Sequence, residues 1–192
     1  MISPVCFLQL TASIVGATDF ALGIYNATTP EDYPIIAAAG FTLVDVRVSD
    51  PVKQMALASA ARTAGMRVMA NPRAYLEVPR ETIDVDVDAW HLFDEPEVNR
   101  NSTSSIAGLY ARVRTWDAET PGVIVVGDGA SASRFSEWAD VIALDWYPVP
   151  HLKLQTLSTE MAKAISGSAG KPVWAIIQAM DWRDYPKRNP KA

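Results

Sequence analysis

The segment FTLVDVRVSDPVKQMALASAARTAGMRVMAN, residues 41–71, decides the fold. It begins with an apolar, β-branched run at Phe41–Val48 and ends with a second such run at Arg67–Asn71. Between the two runs, Asp50-Pro51 is a typical start of a helix and Gly65 is a typical end. The segment therefore predicts a strand–helix–strand unit in which the two strands run parallel.

The same alternation of short β-branched runs and longer helical stretches continues on both sides of this unit. It predicts strands at Phe20–Tyr25, Phe41–Val48, Arg67–Asn71, Ala89–Phe93, Val123–Val126, Val141–Leu144 and Val173–Ile177. It predicts helices at Pro30–Ala39, Pro51–Gly65, Ser104–Glu119, Ala132–Ala139 and Leu154–Ser166. The segment between Arg73 and Asp88 is less regular and leaves room for a short helix only.

Units of this kind fit a parallel (β/α)8-type TIM barrel better than an open, doubly wound sheet. A dinucleotide-binding sheet would carry a glycine-rich phosphate loop after its first strand, and no such loop follows Tyr25. Polar residues collect instead at the C-terminal ends of nearly every strand, where a barrel builds its site. A complete barrel usually needs about 250 residues. The predicted fold class is thus α/β, an incomplete barrel of about seven units over residues 19–192 that is truncated before the eighth.

Residues 1–18 form a separate apolar segment in this interpretation. The small residues Gly16-Ala17 resemble the cleavage edge of a secretion signal, although the positively charged region of such a signal is missing. Alternatively, the segment is an extra strand that covers an edge which an open barrel would expose. A secreted or periplasmic location would fit the first alternative, and the single cysteine is equally compatible with the cytoplasm, so the location stays open.

The composition argues against several functional classes. Seventeen Lys and Arg against 22 Asp and Glu give a net charge of −5, without the basic footprint of a nucleic-acid-binding protein. The single cysteine, Cys6, excludes a disulfide framework, and the only histidines, His91 and His151, form no His-x-His pair. No stretch reaches the roughly 18 apolar residues of a membrane span. The sequence therefore predicts no nucleic-acid partner, no metal, no cofactor and no membrane span.

Residue parity shows which side chains of the strand at Phe41–Val48 share a face. Alternate residues point the same way, so Val44, Val46 and Val48 fit the side that faces the helices. Asp45 and Arg47 then point into the barrel. Burying such a pair is costly unless each partner satisfies the other. An internal ion pair and a substrate-binding role both remain open for these two residues.

The strand WHLFDEPE at 90–97 places two carboxyl groups where the strand gives way to its loop, within Asp94-Glu95-Pro96. A general acid for glycosidic cleavage needs a carboxyl with a raised pKa on a rigid backbone. The end of a barrel strand offers that rigidity, and Phe93 and Trp146 are expected to supply apolar surroundings. The alternative is that Glu95 caps the following helix or pairs with an arginine.

This segment resembles the strand-four signature of clan A glycoside hydrolases and of related barrels, which reads Asn-Glu-Pro or Asp-Glu-Pro. The stretch Asp145–Pro148 resembles their D-x-Y-P at the end of strand six, and Lys171–Trp174 resembles their strand seven. In order and spacing, these motifs cover roughly Phe20 to Trp182. The resemblance implies a TIM barrel that hydrolyses O-glycosidic bonds in an oligo- or polysaccharide, with Glu95 at the acid/base position.

One position departs from the clan A pattern. Those enzymes carry a nucleophilic Glu at the end of strand seven, where this chain has Gln178, and an amide cannot act as a carboxylate nucleophile. Asp145 ranks first as the second catalytic carboxyl because it shares parity with the small interior residues Val141 and Ala143. Asp181 is the second candidate, and the third alternative is a barrel that binds carbohydrate without cleaving it. A purely structural role, in which Asp145 only anchors its loop by hydrogen bonds, is an equal alternative.

Further side chains at strand ends are expected to line a sugar site. Aromatic rings suit the apolar faces of pyranose rings, and polar groups suit the hydroxyl groups. The predicted substrate-binding residues are Tyr25, Asp45, Arg47, Asn71, Asp94, Tyr147, Gln178 and Trp182.

Overall fold

The computed structural model describes residues 5–10, 21–83 and 86–180. Eight strands form one closed barrel whose order around the sheet follows the order of the chain. They are β1 (Val5–Leu10), β2 (Leu22–Tyr25), β3 (Leu43–Asp45), β4 (Arg67–Ala70), β5 (Ala89–Asp94), β6 (Gly122–Val126), β7 (Val141–Trp146) and β8 (Val173–Ile177). The strands from β2 to β8 run parallel to their neighbours, which confirms the predicted fold class.

Strand β1 takes the eighth position of the barrel in the opposite direction to the others. It pairs antiparallel with both β2 and β8, so that Cys6 lies opposite Ile24 on one side and Ile177 on the other. A strand has backbone hydrogen-bonding groups along both sides, and one segment can therefore pair two edges at once. The two edges that an open barrel would expose are thus paired here. The architecture is an incomplete parallel (β/α)8-type barrel closed by one antiparallel strand.

Helices alternate with the parallel strands on the outside of the barrel. They are α1 (Tyr33–Ala38), α2 (Pro51–Thr63), α3 (Thr103–Trp116), α4 (Ala132–Phe135) and α5 (Thr156–Gly167). Between β4 and β5 the chain forms only short 3₁₀ turns at Pro72–Ala74 and Arg80–Thr82, as the irregular sequence there indicates. Helix α3 ends before the predicted Glu119 because the Asp117 side chain accepts the backbone N–H of Thr120 at 3.1 Å and folds the chain into a turn.

Two apolar clusters hold the barrel together. The larger lies between the strands and the helices and includes Val44 and Val46, whereas the smaller fills the barrel interior and includes Leu43 and Ala143. The alternation along β3 therefore places Asp45 inside the barrel, and the alternation along β7 does the same for Asp145. Both assignments agree with the parity argument from the sequence.

A β-bulge in β5 breaks the simple alternation in that strand. The register shifts between His91 and Phe93, so that His91 pairs with Val123 and Asp94 pairs with Val125. Both valines belong to the interior cluster, whereas Phe93 belongs to the outer cluster. The bulge thus directs His91 and Asp94 to the same side although they are three residues apart. Phe93, which was expected to supply apolar surroundings for Glu95, lies in the outer cluster for this reason.

Asp117 ties the irregular segment, β5 and the end of α3 together. Its carboxyl accepts hydrogen bonds from Trp90 Nε1 at 3.1 Å, from Arg80 Nε at 3.0 Å and from the backbone of Thr120. Burial alone would raise the pKa of Asp117, but these hydrogen bonds outweigh burial and lower it to about 2. A carboxyl whose pKa is depressed on folding stabilises the native state above its unfolded pKa and loses that effect as pH falls through the folded value.

Replacing Asp117 with Asn should therefore reduce the free energy of unfolding by about 2 kcal/mol at pH 7, with the deficit vanishing as pH falls toward 2. Urea denaturation across this pH range measures the difference. Asp86→Asn is the matched control, because the Asp86 side chain is 82% exposed in its ion pair with Arg62 and should contribute little. An Asp117→Asn variant as stable as the wild type at pH 7 would contradict the assignment.

Candidate active site

The candidate site lies at the mouth of the barrel, defined here as the end at which the parallel strands finish. Tyr25 is the last residue of β2 and Asp45 is the last residue of β3, with Arg47 just beyond it. Asp94 ends β5, and Asp145 lies next to the end of β7. Because parallel strands finish on the same side of a barrel, the fold brings these residues from distant parts of the sequence together.

Asp94 lies at the centre of this group. One of its oxygens, Oδ1, accepts a short hydrogen bond from the Tyr25 hydroxyl, and the other, Oδ2, lies 3.2 Å from Arg47 Nη1. Burial would raise the pKa of Asp94, but Arg47 and the two hydrogen bonds outweigh it and lower the pKa. Burial and the neighbouring Asp94 charge raise the pKa of Tyr25 well above its usual value. Asp94 is therefore ionised at neutral pH, and Tyr25 keeps its proton.

Arg47 links Asp94 to the barrel interior. Its Nη1 lies 3.0 Å from His91 Nε2, and its guanidinium lies 4.9 Å from the centre of the Tyr25 ring. A guanidinium can only donate, so Nε2 accepts and the proton of a neutral His91 sits on Nδ1. That nitrogen lies 3.7 Å from Oδ2 of the fully buried Asp45. We call these five residues, from Asp45 through His91, Arg47 and Asp94 to Tyr25, the polar column.

The polar column corrects one expectation about β3. An ion pair between Asp45 and Arg47 was one of the two alternatives from the sequence, yet neither Asp45 oxygen has a hydrogen-bond partner among the described residues, and Arg47 pairs with Asp94. Burial opposes the charge on Arg47, but the carboxylates of Asp45 and Asp94 outweigh this and raise its pKa. The internal ion pair exists, but its acidic partner comes from β5.

Asp145 provides a carboxyl of the opposite character to that of Asp94. The residue is only 6% exposed, and its Oδ1 has no hydrogen-bond partner among the described residues. Burial raises the pKa of Asp145 well above its usual range, a hydrogen bond from Tyr147 lowers it, and the negative charge of Glu95 raises it again. Asp145 therefore holds a proton under conditions in which Asp94 is ionised.

Glu95 sits on a turn directly after β5. Its backbone has a φ of 43°, a left-handed conformation that is uncommon for a residue other than glycine, and its N–H donates to Val125 O at 2.9 Å. The side chain is half-buried and reaches the end of β6, where a methyl group added to Gly127 would lie 3.3 Å from Glu95 Oε1. The glycine thus leaves room for the carboxyl group, close enough for its charge to act on Asp145.

Two of the predicted sugar-binding residues already use their side chains to hold loops. Asn71 Oδ1 accepts the backbone N–H of Arg73 at 3.1 Å and so caps a 3₁₀ turn. The Gln178 amide bonds both backbone groups of Val149 and the carbonyl of Met180. The remaining predicted contact, Trp182, lies outside the described residues, as does the alternative carboxyl Asp181.

Trp146 does not surround the site as expected. Its indole N–H donates to Thr156 Oγ1 at 2.9 Å, and the ring packs against the outer apolar cluster. The reason is the alternation along β7, because Trp146 follows the inward-facing Asp145 and must face the helices. Tyr147 instead packs against the interior cluster and supplies an aromatic ring at the mouth.

Sequence reasoning missed His91 and Glu97 as members of the site. His91 could have been found, since it shares parity with the interior residue Ala89. Glu97 lies in the loop after β5, where parity gives no guidance, and its carboxyl accepts the backbone N–H of Gly127. Burial is the main cause that raises the pKa of Glu97, although its hydrogen bonds oppose it.

The groups at the mouth are carboxyl, phenol, guanidinium and imidazole groups, which bind hydroxyl groups and transfer protons. Within residues 5–10, 21–83 and 86–180, no three His, Cys, Asp or Glu side chains are grouped so as to hold a metal ion. None of the helices in those ranges has the length and apolar character needed to cross a bilayer.

Comparison with solved structures supports the fold. No protein-family model matches the chain, and no curated protein is significantly similar to it in sequence. A glycoside hydrolase family 17 β-1,3-glucanosyltransferase from Rhizomucor miehei is similar with a TM-score of 0.63 and 16% identity, over 79% of this chain and 68% of that chain. A family 113 β-mannanase from Alicyclobacillus acidocaldarius, solved in complex with ManMIm, has a TM-score of 0.56 and 13% identity, over 75% and 62%.

Barrels with other chemistry are similar as well. A citrate synthase variant has a TM-score of 0.53 and 12% identity, over 79% of this chain and 74% of that chain. Barrels host many unrelated activities, and similarity at such low identity therefore establishes the fold alone. The structural neighbours thus include glycoside hydrolases, while the function of this chain has to be argued from its own side chains.

Replacing Arg47 with Met should destabilise the mouth, because it removes the cation between two carboxylates. We expect the free energy of unfolding to fall by about 2–3 kcal/mol at pH 7. The deficit should shrink as pH falls through the ordinary carboxyl range, since a protonated Asp94 no longer needs a cation. Urea denaturation at pH 7 and pH 4 measures both effects.

Arg112→Met is the matched control for this measurement. Arg112 also pairs with a carboxylate, at 2.7 Å from Glu77, but the two side chains are 58% and 87% exposed. Its loss should therefore cost well under about 1 kcal/mol. Equal losses in the two variants would show that burial of the Arg47–Asp94 pair does not matter.

Proposed function

We propose that this chain hydrolyses O-glycosidic bonds in an oligo- or polysaccharide, with Glu95 as the general acid/base and Asp145 as the second carboxyl group. The observation that carries the proposal is that two carboxyl groups meet at the mouth of the barrel, close enough for the charge of Glu95 to act on Asp145. Glycoside hydrolysis uses two carboxyl groups whose environments give them different protonation states.

The position of Glu95 supports its role as the group that reaches the glycosidic oxygen. Glu95 is more exposed than Asp145, so a bound sugar can approach it. Its backbone is held by Val125, and its side chain occupies the space that Gly127 leaves open. A proton donor on a fixed backbone keeps its geometry during proton transfer, which general acid catalysis requires.

In the proposed roles Asp145 is ionised and Glu95 holds the proton, so the proton that Asp145 carries in the free protein has to pass to Glu95 when the sugar binds. Tyr147 and Arg47 favour the ionised form, whereas burial and the charges of Glu95 and Asp94 oppose it. The same balance makes Asp145 sensitive to a bound ligand, because a sugar that donates a hydroxyl hydrogen bond to the carboxylate would favour ionisation.

The polar column and the other residues around it supply the proposed sugar contacts. The ionised Asp94 can accept a hydrogen bond from a sugar hydroxyl, while Tyr25 and Arg47 fix its orientation and Asp45 supports Arg47 through His91. The Tyr147 ring is the proposed contact for the apolar face of a sugar ring. Asn71, Gln178 and Trp182 complete the proposed set of sugar contacts. Carbohydrate is the proposed partner, and the proposed chemistry uses no metal or other cofactor.

A second candidate function is a barrel that binds carbohydrate without cleaving it. Two observations favour it. Gln178 stands where clan A enzymes carry their nucleophile. The carboxyl proposed in its place, Asp145, is buried and holds a proton. Binding alone needs no ionised second carboxyl.

Hydrolysis of a panel of aryl glycosides and polysaccharides by the full chain tests the proposal. Glu95→Gln should reduce kcat/KM by roughly a thousandfold, because an amide cannot donate or accept the transferred proton. Glu77→Gln, a change of the same kind at a side chain that is 87% exposed, should leave activity unchanged. Sugar binding by both the wild type and Glu95→Gln without turnover by either would refute hydrolysis and support the binding barrel.

The pH dependence of kcat/KM tests the role of Asp145. If Asp145 acts as a base or nucleophile, activity should rise with pH through its raised pKa, so the acid limb of the profile should lie above the ordinary aspartate value of about 4. Asp145→Asn should abolish this activity. An acid limb near pH 4, or full activity in Asp145→Asn, would exclude Asp145 as the second carboxyl.

A further inference from the structure

The Gln178 side chain, just after β8, bonds both backbone groups of Val149 in the loop that follows the neighbouring strand β7. Its Oε1 accepts the N–H of Val149 at 2.9 Å, and its Nε2 donates to the carbonyl of Val149 at 2.8 Å and to that of Met180 at 3.1 Å. Both amide hydrogens are therefore used, and one lone pair of Oε1 remains. The amide thus makes the two backbone hydrogen bonds to Val149 that a neighbouring β-strand would make.

Val149 is the residue at which such a contact holds the loop between β7 and α5 most directly. It lies between Pro148 and Pro150, neither of which has a backbone N–H. The N–H that Gln178 accepts is thus the only backbone donor of this tripeptide. By bonding both the N–H and the carbonyl of Val149, Gln178 holds the loop where the two prolines leave one backbone N–H available.

The held segment begins at the proposed second carboxyl. Asp145 lies on β7, Tyr147 follows and donates its hydrogen bond to Asp145, and Val149 comes two residues later. Tyr147 also packs against the interior apolar cluster. Along the chain, Tyr147 therefore lies between the end of β7 and the residue that Gln178 holds.

We propose that Gln178 is a positioning residue, a latch that acts through Val149 to keep the Tyr147 hydroxyl on Asp145. In this role Gln178 contributes an amide that both donates and accepts, which a glutamate in its place could not do because a carboxylate only accepts. The latch itself does not depend on catalysis, whereas its consequence for the reaction rests on the proposed hydrolytic function.

The titration of Asp145 is the readout that a merely structural role would not move. Tyr147, Glu95, Asp94 and Arg47 are the titratable and charged groups that act on Asp145, and only the Tyr147 bond depends on the latch. Losing that bond removes stabilisation of the ionised form, so the pKa of Asp145 must rise. The substitution Gln178→Met tests this without adding a charge near the site.

Carbon-13 NMR of the aspartate carboxyl groups in the full chain, with Asp145→Asn to identify the signal, measures the effect. Gln178→Met and Tyr147→Phe should each raise the pKa of Asp145 by about one to two units. The double variant should shift it no further than Tyr147→Phe alone, since both changes remove the same hydrogen bond. An additive shift in the double variant would overturn the proposal.

Gln54 provides a matched control, because it clamps a backbone in the same way elsewhere at the mouth. Its Oε1 accepts the N–H of Asn71 at 3.1 Å, and its Nε2 donates to the carbonyl of Asn71 at 2.8 Å. Gln54→Met should reduce stability without moving the Asp145 titration. An equal shift in Gln54→Met, or an unchanged titration in Gln178→Met, would overturn the latch, and neither result depends on whether the chain hydrolyses sugar.

Discussion

The Arg47 guanidinium lies 3.2 Å from Asp94 and 3.0 Å from His91, and the mouth of the barrel is arranged around these two contacts. Without the cation, the carboxylates of Asp45 and Asp94 would face each other inside a largely apolar barrel, which is energetically costly. With it, one strand end carries an ionised carboxyl in a fixed orientation. Burial is the largest cause that raises the pKa values of Tyr25 and Asp145, and the charge of Asp94 raises both further.

Two local devices make that arrangement accessible to the backbone. The bulge in β5 turns Asp94 toward Arg47 and leaves Glu95 on the turn that follows. Beyond the strand ends, side-chain amides supply the backbone hydrogen bonds that a paired strand would make. Gln54 bonds the backbone of Asn71, and Gln178 bonds the backbone of Val149. Loops after barrel strands carry function but lack ladder partners of their own, and such clamps give them the rigidity of the strands.

The fold could be predicted from the sequence because β-branched runs, helix starts and glycine stops recur in a regular order, and each signal is local. Parity alone placed Asp45 and Asp145 in the interior. The bulge that places Phe93 in the outer cluster adds one residue without a clear mark in the sequence, whereas the alternation along β7 does direct Trp146 outward. The partner of Arg47 and the contacts of Gln178 depend on which strand ends lie close together in the barrel. The spacing of residues along the sequence does not give the distances between side chains on different strands.

The antiparallel pairing of β1 with β8 constrains how the barrel can close during folding. This pairing joins residues at nearly opposite ends of the chain, a contact of the highest sequence separation that this barrel contains between strands. Contacts of this kind are slow to form because much of the chain must first be ordered. Of the strands described, β1 is synthesised first and β8 last. The ring of backbone hydrogen bonds between them can therefore close only after β8 has been made.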